Sequence, residues 1–92
     1  MKKVIIVHLE IKQESRESFM KETFSIKSKS KEEKGCLEYN VLENCYSENK
    51  FMIYEVYENN KAFDDHKESK HYKKYINFVM PILAKEPVIE IY

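Results

Sequence analysis

One stretch of the chain, Glu55–Tyr72 (EVYENNKAFDDHKESKHY), gathers the side chains that are suited to chemistry. It holds two of the three histidines, His66 and His71, together with the carboxylate of Glu55. A neutral imidazole exchanges protons near neutral pH because its ordinary pKa is about 6.5. We therefore expect His66 to be the catalytic residue, as a general base or as the partner of a substrate oxygen, with Glu55 orienting the imidazole or the substrate.

Apolar and aromatic side chains near these polar groups predict the wall of a pocket for a ring-shaped ligand. The predicted pocket residues are Ile53, Glu55, Tyr57, Phe63 and Tyr72. Each has a plainer interpretation. Glu55 could pair with a lysine across a sheet, Tyr57 and Tyr72 fit the edge of a core, and His66 fits a helix cap or a packed position.

A metal site is not expected from the sequence. His66 and His71 are five residues apart across a predicted helix break, and no third ligand stands out. His71 fits a structural role instead, accepting hydrogen bonds from backbone N–H groups at a helix start or lying at a subunit seam. Because Gly35 is the one glycine, no glycine-rich nucleotide loop exists, and we expect no cofactor.

The totals limit the class of protein. With 92 residues we expect one domain, residues 1–92, whose modest core favours dimerisation. Sixteen basic side chains balance sixteen acidic ones, which argues against nucleic acid as a partner. The apolar run VIIV after Met1 is too short for a leader or a membrane span. Cys36 and Cys45 do not form a CxxC motif and fit a reduced, cytoplasmic chain, with a Cys36–Cys45 disulfide as the less favoured alternative.

Hydrophobic periodicity predicts four strands and three helical segments. The strands are predicted at 3–11, 36–43, 50–58 and 88–92. The helices are predicted at 15–33, from Asn59 or Asn60 to about Lys67, and at 71–80. We expect Ser15 to cap the first helix and Gly35 to end it with a positive φ.

Three patterns predict which faces are buried. On the first helix the buried stripe is predicted to be Phe19, Thr23, Ile26 and Ser30, widened by Met20 and Phe24. On the second strand Leu37, Tyr39 and Val41 are predicted to share one face. The third strand is apolar on both faces, so helices should cover one face and a second copy of the sheet the other. The β-α-β-β-α-β order is that of an α+β, ferredoxin-like antiparallel sheet with helices on one face.

Four motifs, in this order and spacing, resemble the antibiotic biosynthesis monooxygenase family over nearly the whole chain. They are Glu33-Lys34-Gly35-Cys36, Glu55-Val56-Tyr57, His66, and His71-Tyr72-Lys73. The resemblance implies a homodimer that forms a dimeric α/β barrel, with a pocket between helices and sheet in each subunit. It also implies oxidation of phenolic, anthrone-like or quinol compounds without flavin, haem or metal.

The chain departs from the family pattern at three places. Tyr57 stands where the family often has tryptophan, and Gln13-Glu14 replaces a proline-glycine pair. In the haem-degrading branch a helical histidine binds iron beside a tryptophan. Here Ile76 aligns near that ligand position and His66 replaces the tryptophan, so haem degradation is disfavoured.

The predicted function is a cytoplasmic, cofactor-independent monooxygenase that oxidises a small aromatic, quinol or anthrone-like compound with O₂. Its partners would be a second copy of the chain and the small-molecule substrate, with neither nucleic acid nor membrane. Two other classes stay open: a non-catalytic dimeric module that binds a small ligand, and an isomerase or ring-opening enzyme acting on a small carbonyl signalling compound.

Overall fold

A four-stranded antiparallel sheet forms one layer of the fold in the computed structural model, which describes residues 1–92. The strands are β1 (Lys3–Glu10), β2 (Cys36–Glu43), β3 (Lys50–Tyr57) and β4 (Val88–Ile91). Their order across the sheet is β2-β3-β1-β4. In the register of the central pair, Ile5 lies opposite Glu55 and Val7 opposite Ile53. The predicted α+β, ferredoxin-like class is confirmed.

Three helices lie on one face of this sheet: α1 (Arg16–Lys31), α2 (Asn60–Glu68) and α3 (Lys70–Val79). Asn59 caps α2, because its side chain accepts a hydrogen bond from the backbone N–H of Ala62 at 2.8 Å. Ser69 ends α2 in an extended conformation and caps α3 by accepting from Tyr72 N–H. One residue thus produces the predicted break between the two helices. None of the helices is long and apolar enough to cross a lipid bilayer.

Helix α1 buries the predicted stripe but not the predicted widening. Phe19, Thr23, Ile26 and Ser30 are its buried residues. Met20 is 47% exposed and Phe24 is 71% exposed, so their inclusion was wrong. Both lie on the side of the helix that turns away from the sheet.

The start of α1 also differs from the prediction. A 3-10 turn, Gln13–Ser15, precedes the helix, and Ser15 makes no side-chain capping bond. Its carbonyl instead accepts a hydrogen bond from the Ser18 hydroxyl at 3.0 Å. The turn continues into the helix, so the helix starts without the extended capping residue that the prediction required.

A β-bulge in β2 overturns the predicted face of Leu37. Cys36 pairs with Tyr57 and Glu38 pairs with Val56, which leaves Leu37 as an extra residue. Leu37 is therefore 44% exposed, whereas Tyr39 is buried at 2%. Strict alternation from the sequence cannot reveal an inserted residue of this kind.

Gly35 is required because the backbone at this position approaches helix α2 closely, and not because the chain makes a left-handed turn. No glycine in the chain has a positive φ, which contradicts the expectation for this residue. A Cβ atom built on Gly35 would lie 2.4 Å from the Cβ of Ala62 on α2. The missing side chain therefore lets the turn after α1 pack directly against α2. This contact brings Glu33, two residues earlier, close to the end of α2.

Candidate functional site

A partly open, mostly apolar cavity of about 110 Å³ lies between the sheet and the helices. Of the predicted site residues, Ile53, Glu55, Phe63, His66 and Tyr72 line it. Tyr57 does not line the cavity, and its fully buried ring lies behind Glu55 and His66. The role of these residues in binding or catalysis stays a prediction.

Glu55 is the one carboxylate among the buried residues, with 6% of its surface exposed. It lies on the inner face of β3 and accepts a hydrogen bond from the Tyr57 hydroxyl at 2.6 Å. No lysine pairs with it across the sheet, which removes the plainer interpretation. Burial raises the pKa of Glu55 to about 7, against the opposing effect of the Tyr57 hydrogen bond. The negative charge of Glu33 adds to the increase.

His66 is held in the last turn of α2 with 2% of its surface exposed. Its Nδ1 atom lies 3.1 and 3.0 Å from the two carboxylate oxygens of Glu33. Its Nε2 atom lies 3.8 Å from Oε1 of Glu55. Burial lowers the pKa of His66, and the Glu33 carboxylate opposes that decrease. The neutral imidazole therefore donates from Nδ1 to Glu33 and presents an unprotonated Nε2 towards Glu55.

Glu33 is the residue of this site that reasoning about chemistry missed. Its carboxylate accepts hydrogen bonds from both His66 Nδ1 and His71 Nε2. His71 therefore binds Glu33 rather than backbone N–H groups, and the predicted backbone contact was wrong. Gly35 was the feature of the sequence that could have indicated Glu33. A glycine that permits close packing holds its neighbours in the chain against the facing helix. Glu33 is also the third possible metal ligand that was not recognised from the sequence.

Aromatic rings enclose the His66 imidazole. The ring centroids of Tyr57 and Tyr72 each lie 5.1 Å from it, and that of Tyr39 lies 6.2 Å away. Burial raises the pKa of Tyr39 and Tyr57 above the usual range, so both hydroxyls stay protonated and are hydrogen-bond donors. Tyr39 lines the cavity but was not predicted as a site residue, because its position on β2 is distant in sequence.

A larger surface groove of about 460 Å³ lies at one end of the sheet, beside His8, Lys50 and Lys85. The His8 side chain is 46% exposed and pairs with Glu90 at 3.0 Å. The groove is open to solvent and contains none of the buried titratable groups. We therefore place the candidate site in the smaller cavity, which holds the buried Glu55 and His66, because charges interact more strongly away from water.

The sheet, its three helices and a cavity that holds a carboxylate–imidazole pair define a small ferredoxin-like α+β protein. The family model described as "Antibiotic biosynthesis monooxygenase" matches residues 4–77. The chain therefore belongs to the antibiotic biosynthesis monooxygenase family, as the sequence motifs predicted.

Individual relatives agree with this assignment. The solved structure "Putative antibiotic biosynthesis monooxygenase from Nitrosomonas europaea" is similar with a TM-score of 0.94 and 27% identity, covering 99% of this chain and 88% of that one. "Putative monooxygenase YcnE" of Bacillus subtilis is 29% identical over 73 residues, which are 79% of this chain and 77% of that protein. An uncharacterised Synechocystis protein is 27% identical over 97% of this chain, which spans 60% of that relative's length.

Proposed function

We propose that this chain is a cofactor-independent monooxygenase that oxidises a small aromatic compound with O₂, and that the compound is a single-ring quinol. The observation that carries the proposal is the buried Glu55–His66 pair in the wall of a mostly apolar cavity. Membership of the monooxygenase family supports the reaction class. "Putative monooxygenase YcnE" carries the same reaction class in its name.

The size of the cavity supports a single ring over a tricyclic, anthrone-like compound. Its volume is about 110 Å³. An apolar cavity of roughly 150 Å³ in another protein admits benzene, while pockets for larger, drug-sized ligands are roughly 300–1,000 Å³. A quinol ring needs only modest adjustment of the wall, whereas three fused rings exceed the volume of the cavity and would extend out of it.

Proton removal is the step that the polar groups support. A quinol becomes a good electron donor to O₂ once it has lost a phenolic proton. Glu55 has a pKa of about 7, which suits a general base at neutral pH. His66 offers an unprotonated Nε2 beside it, so the pair can share the proton taken from the substrate. Glu33 fixes the orientation of His66 through its bond to Nδ1.

The proposed reaction needs no external reductant. The quinol anion passes an electron to O₂, the two radicals combine into a hydroperoxide, and loss of water leaves a hydroxyquinone. One oxygen atom enters the product and the other leaves in water, and the quinol supplies all four electrons. The apolar wall keeps bulk water away from the anion and the peroxide.

Oxygen uptake by the purified protein, treated with a chelator, tests this proposal with a panel of quinols and anthrones. We expect quinols to be consumed faster than in buffer, with Glu55→Gln and His66→Asn each reducing the rate at least about hundredfold. Glu17→Gln is the control, because this exposed carboxylate on α1 lies outside the cavity and outside the sheet. Binding of quinols without oxygen uptake would favour the ligand-binding module, and turnover of a carbonyl compound without O₂ would favour the isomerase.

We also propose that the protein is a homodimer formed by the outer face of the sheet. That face carries Val4, Ile6, Met52 and Tyr54 and has no helix over it. Leucine, valine and tyrosine side chains extend the apolar surface at its margins, where Leu42, Val88 and Tyr92 are 47%, 54% and 64% exposed. Light scattering should give a dimer at micromolar concentration and a monomer for Tyr54→Glu. A monomeric parent chain would contradict the proposal.

A reducing, cytoplasmic location is proposed on the state of the two cysteines. Cys36 and Cys45 are both free, and burial raises the pKa of Cys36 to about 11. A thiol with this pKa reacts slowly. Thiol counting on protein purified without reductant should find both groups free, and a disulfide would contradict this proposal.

A further inference from the structure

We propose that Glu33, His66 and His71 form a binding site for one divalent transition-metal ion, with Zn²⁺ as the best match. One carboxylate oxygen and two imidazole nitrogens lie within 4.8 Å of one another. They come from three separate parts of the fold: the turn after α1, the end of α2 and the start of α3. The site goes beyond the proposed oxidation and does not depend on it.

The donor set fits the chemistry of zinc. Zinc with three protein ligands of the His and Glu type keeps a fourth position for water, with bonds of about 2.0–2.2 Å. Tetrahedral ligands at these lengths are about 3.5 Å apart. His66 Nδ1 lies 3.0 Å from the Glu33 carboxylate, and no two of the three ligand atoms are more than 4.8 Å apart, so side-chain rotations that move the widest pair about 1 Å closer form the site. Hard cations such as Mg²⁺ prefer sets made of oxygen ligands and fit less well.

A second observation supports ligation by His66. A histidine that binds a metal commonly directs its other ring nitrogen to a carboxylate, which fixes the ring and its tautomer. Nε2 of His66 lies 3.8 Å from the buried Glu55 carboxylate. His66 thus has one carboxylate on each side, one as a fellow ligand and one as the outer partner.

The ion would enter from solvent and not from the apolar cavity. A surface pocket of about 290 Å³ is lined by Glu33, Gly35, Asn59 and Ser69. The side chains of Glu33 and His71 are each 20% exposed. Because Nδ1 of His66 faces Glu33 and Nε2 faces Glu55, the ion lies on the far side of the imidazole from Glu55. The ion would bind His66 through Nδ1 and His71 through Nε2, and the Nδ1 proton of the neutral His66 ring would move to Nε2, where it faces Glu55.

Titration of metal-free, tag-free protein with ZnCl₂, followed by calorimetry and by thermal unfolding, tests the site. We expect one ion per chain. At a free Zn²⁺ concentration of about 100 Kd, we expect an increase in Tm of roughly 10 °C. Glu33→Gln and His71→Ala should each weaken binding at least about hundredfold. His8→Ala should bind like the parent chain, because the His8–Glu90 pair has no third ligand.

Cobalt substitution identifies the ligands. The Co²⁺ complex should show the visible absorption of a four-coordinate site and no thiolate charge-transfer band. A thiolate band that disappears in Cys45→Ser would assign the ion to the exposed cysteine and overturn the proposal. Absence of Zn²⁺ binding at micromolar concentration, or unchanged binding in both Glu33→Gln and His71→Ala, would overturn it as well. Oxygen uptake is measured on chelator-treated protein, so the two experiments succeed or fail separately.

Discussion

Replacing Glu55 by glutamine should change how stability depends on pH. The free energy of unfolding of the variant, measured against that of the parent chain, should be higher at pH 8 than at pH 4.5. The pKa of Glu55 rises from 4.5 to about 7 on folding, chiefly because of burial. The folded chain therefore keeps a proton that the unfolded chain loses between these values. The parent's free energy of unfolding falls as pH increases from 4.5 to 7, and the loss is complete above pH 7.

The magnitude follows from the pKa difference. At about 1.4 kcal/mol for each pH unit, the change from 4.5 to about 7 corresponds to about 3 kcal/mol. Glutamine has nearly the same shape, keeps an oxygen for the Tyr57 hydroxyl and does not ionise. Glu55→Gln should therefore lack this loss. Its free energy of unfolding minus that of the parent should be about 3 kcal/mol larger at pH 8 than at pH 4.5.

Urea unfolding from pH 4.5 to pH 8.5 measures this difference. Burial lowers the pKa of His66, so its contribution to the free energy of unfolding is lost as pH falls below 6.5. Because parent and variant share this contribution, it largely cancels in the difference between them. The exposed Glu86 provides a matched control, and Glu86→Gln should follow the parent at every pH. A difference between parent and variant that does not change with pH would contradict this prediction, since Glu55 would then ionise like an exposed carboxyl.

Other substitutions test the packing and the surface. Gly35→Ala should destabilise the fold by about 1–3 kcal/mol in urea, because the new Cβ meets Ala62, and a second change, Ala62→Gly, should restore part of the loss. Ser30→Ala should increase stability by up to about 1 kcal/mol, because the buried Oγ has no hydrogen-bond partner; a decrease in stability would contradict this. Arg16 holds the pKa of Glu43 at about 2, so the parent should lose stability as pH falls from 4.5 to 2. Glu43→Gln has no carboxylate to protonate there, so it should lose less stability in an acid titration.

The sequence predicted the fold well wherever hydrophobic periodicity was intact. The stripe on α1 and the existence of the four strands follow directly from residue order. The errors came from tertiary features with no periodic signal. An inserted residue in β2 turned Leu37 outward, and a close contact with Ala62, not a left-handed turn, explains Gly35.

The site was only partly accessible to the same reasoning. His66 and Glu55 were selected by type and position, and the structure brings them within 3.8 Å of each other. Glu33 was missed because it lies 33 residues before His66, and only the packing of the turn after α1 against α2 brings the two together. Hydrogen-bond partners this far apart in sequence are brought together only by tertiary structure, which cannot be read from a single sequence.

Oxidation of a single-ring quinol under isotopically labelled O₂ tests monooxygenation at this site. In the presence of a chelator, we expect a hydroxyquinone that contains one labelled oxygen atom, labelled water and no hydrogen peroxide. We also expect loss of the labelled product in Glu55→Gln, while Glu17→Gln retains it. An unlabelled quinone formed with hydrogen peroxide, or no product above the rate in buffer, would contradict monooxygenation at this site.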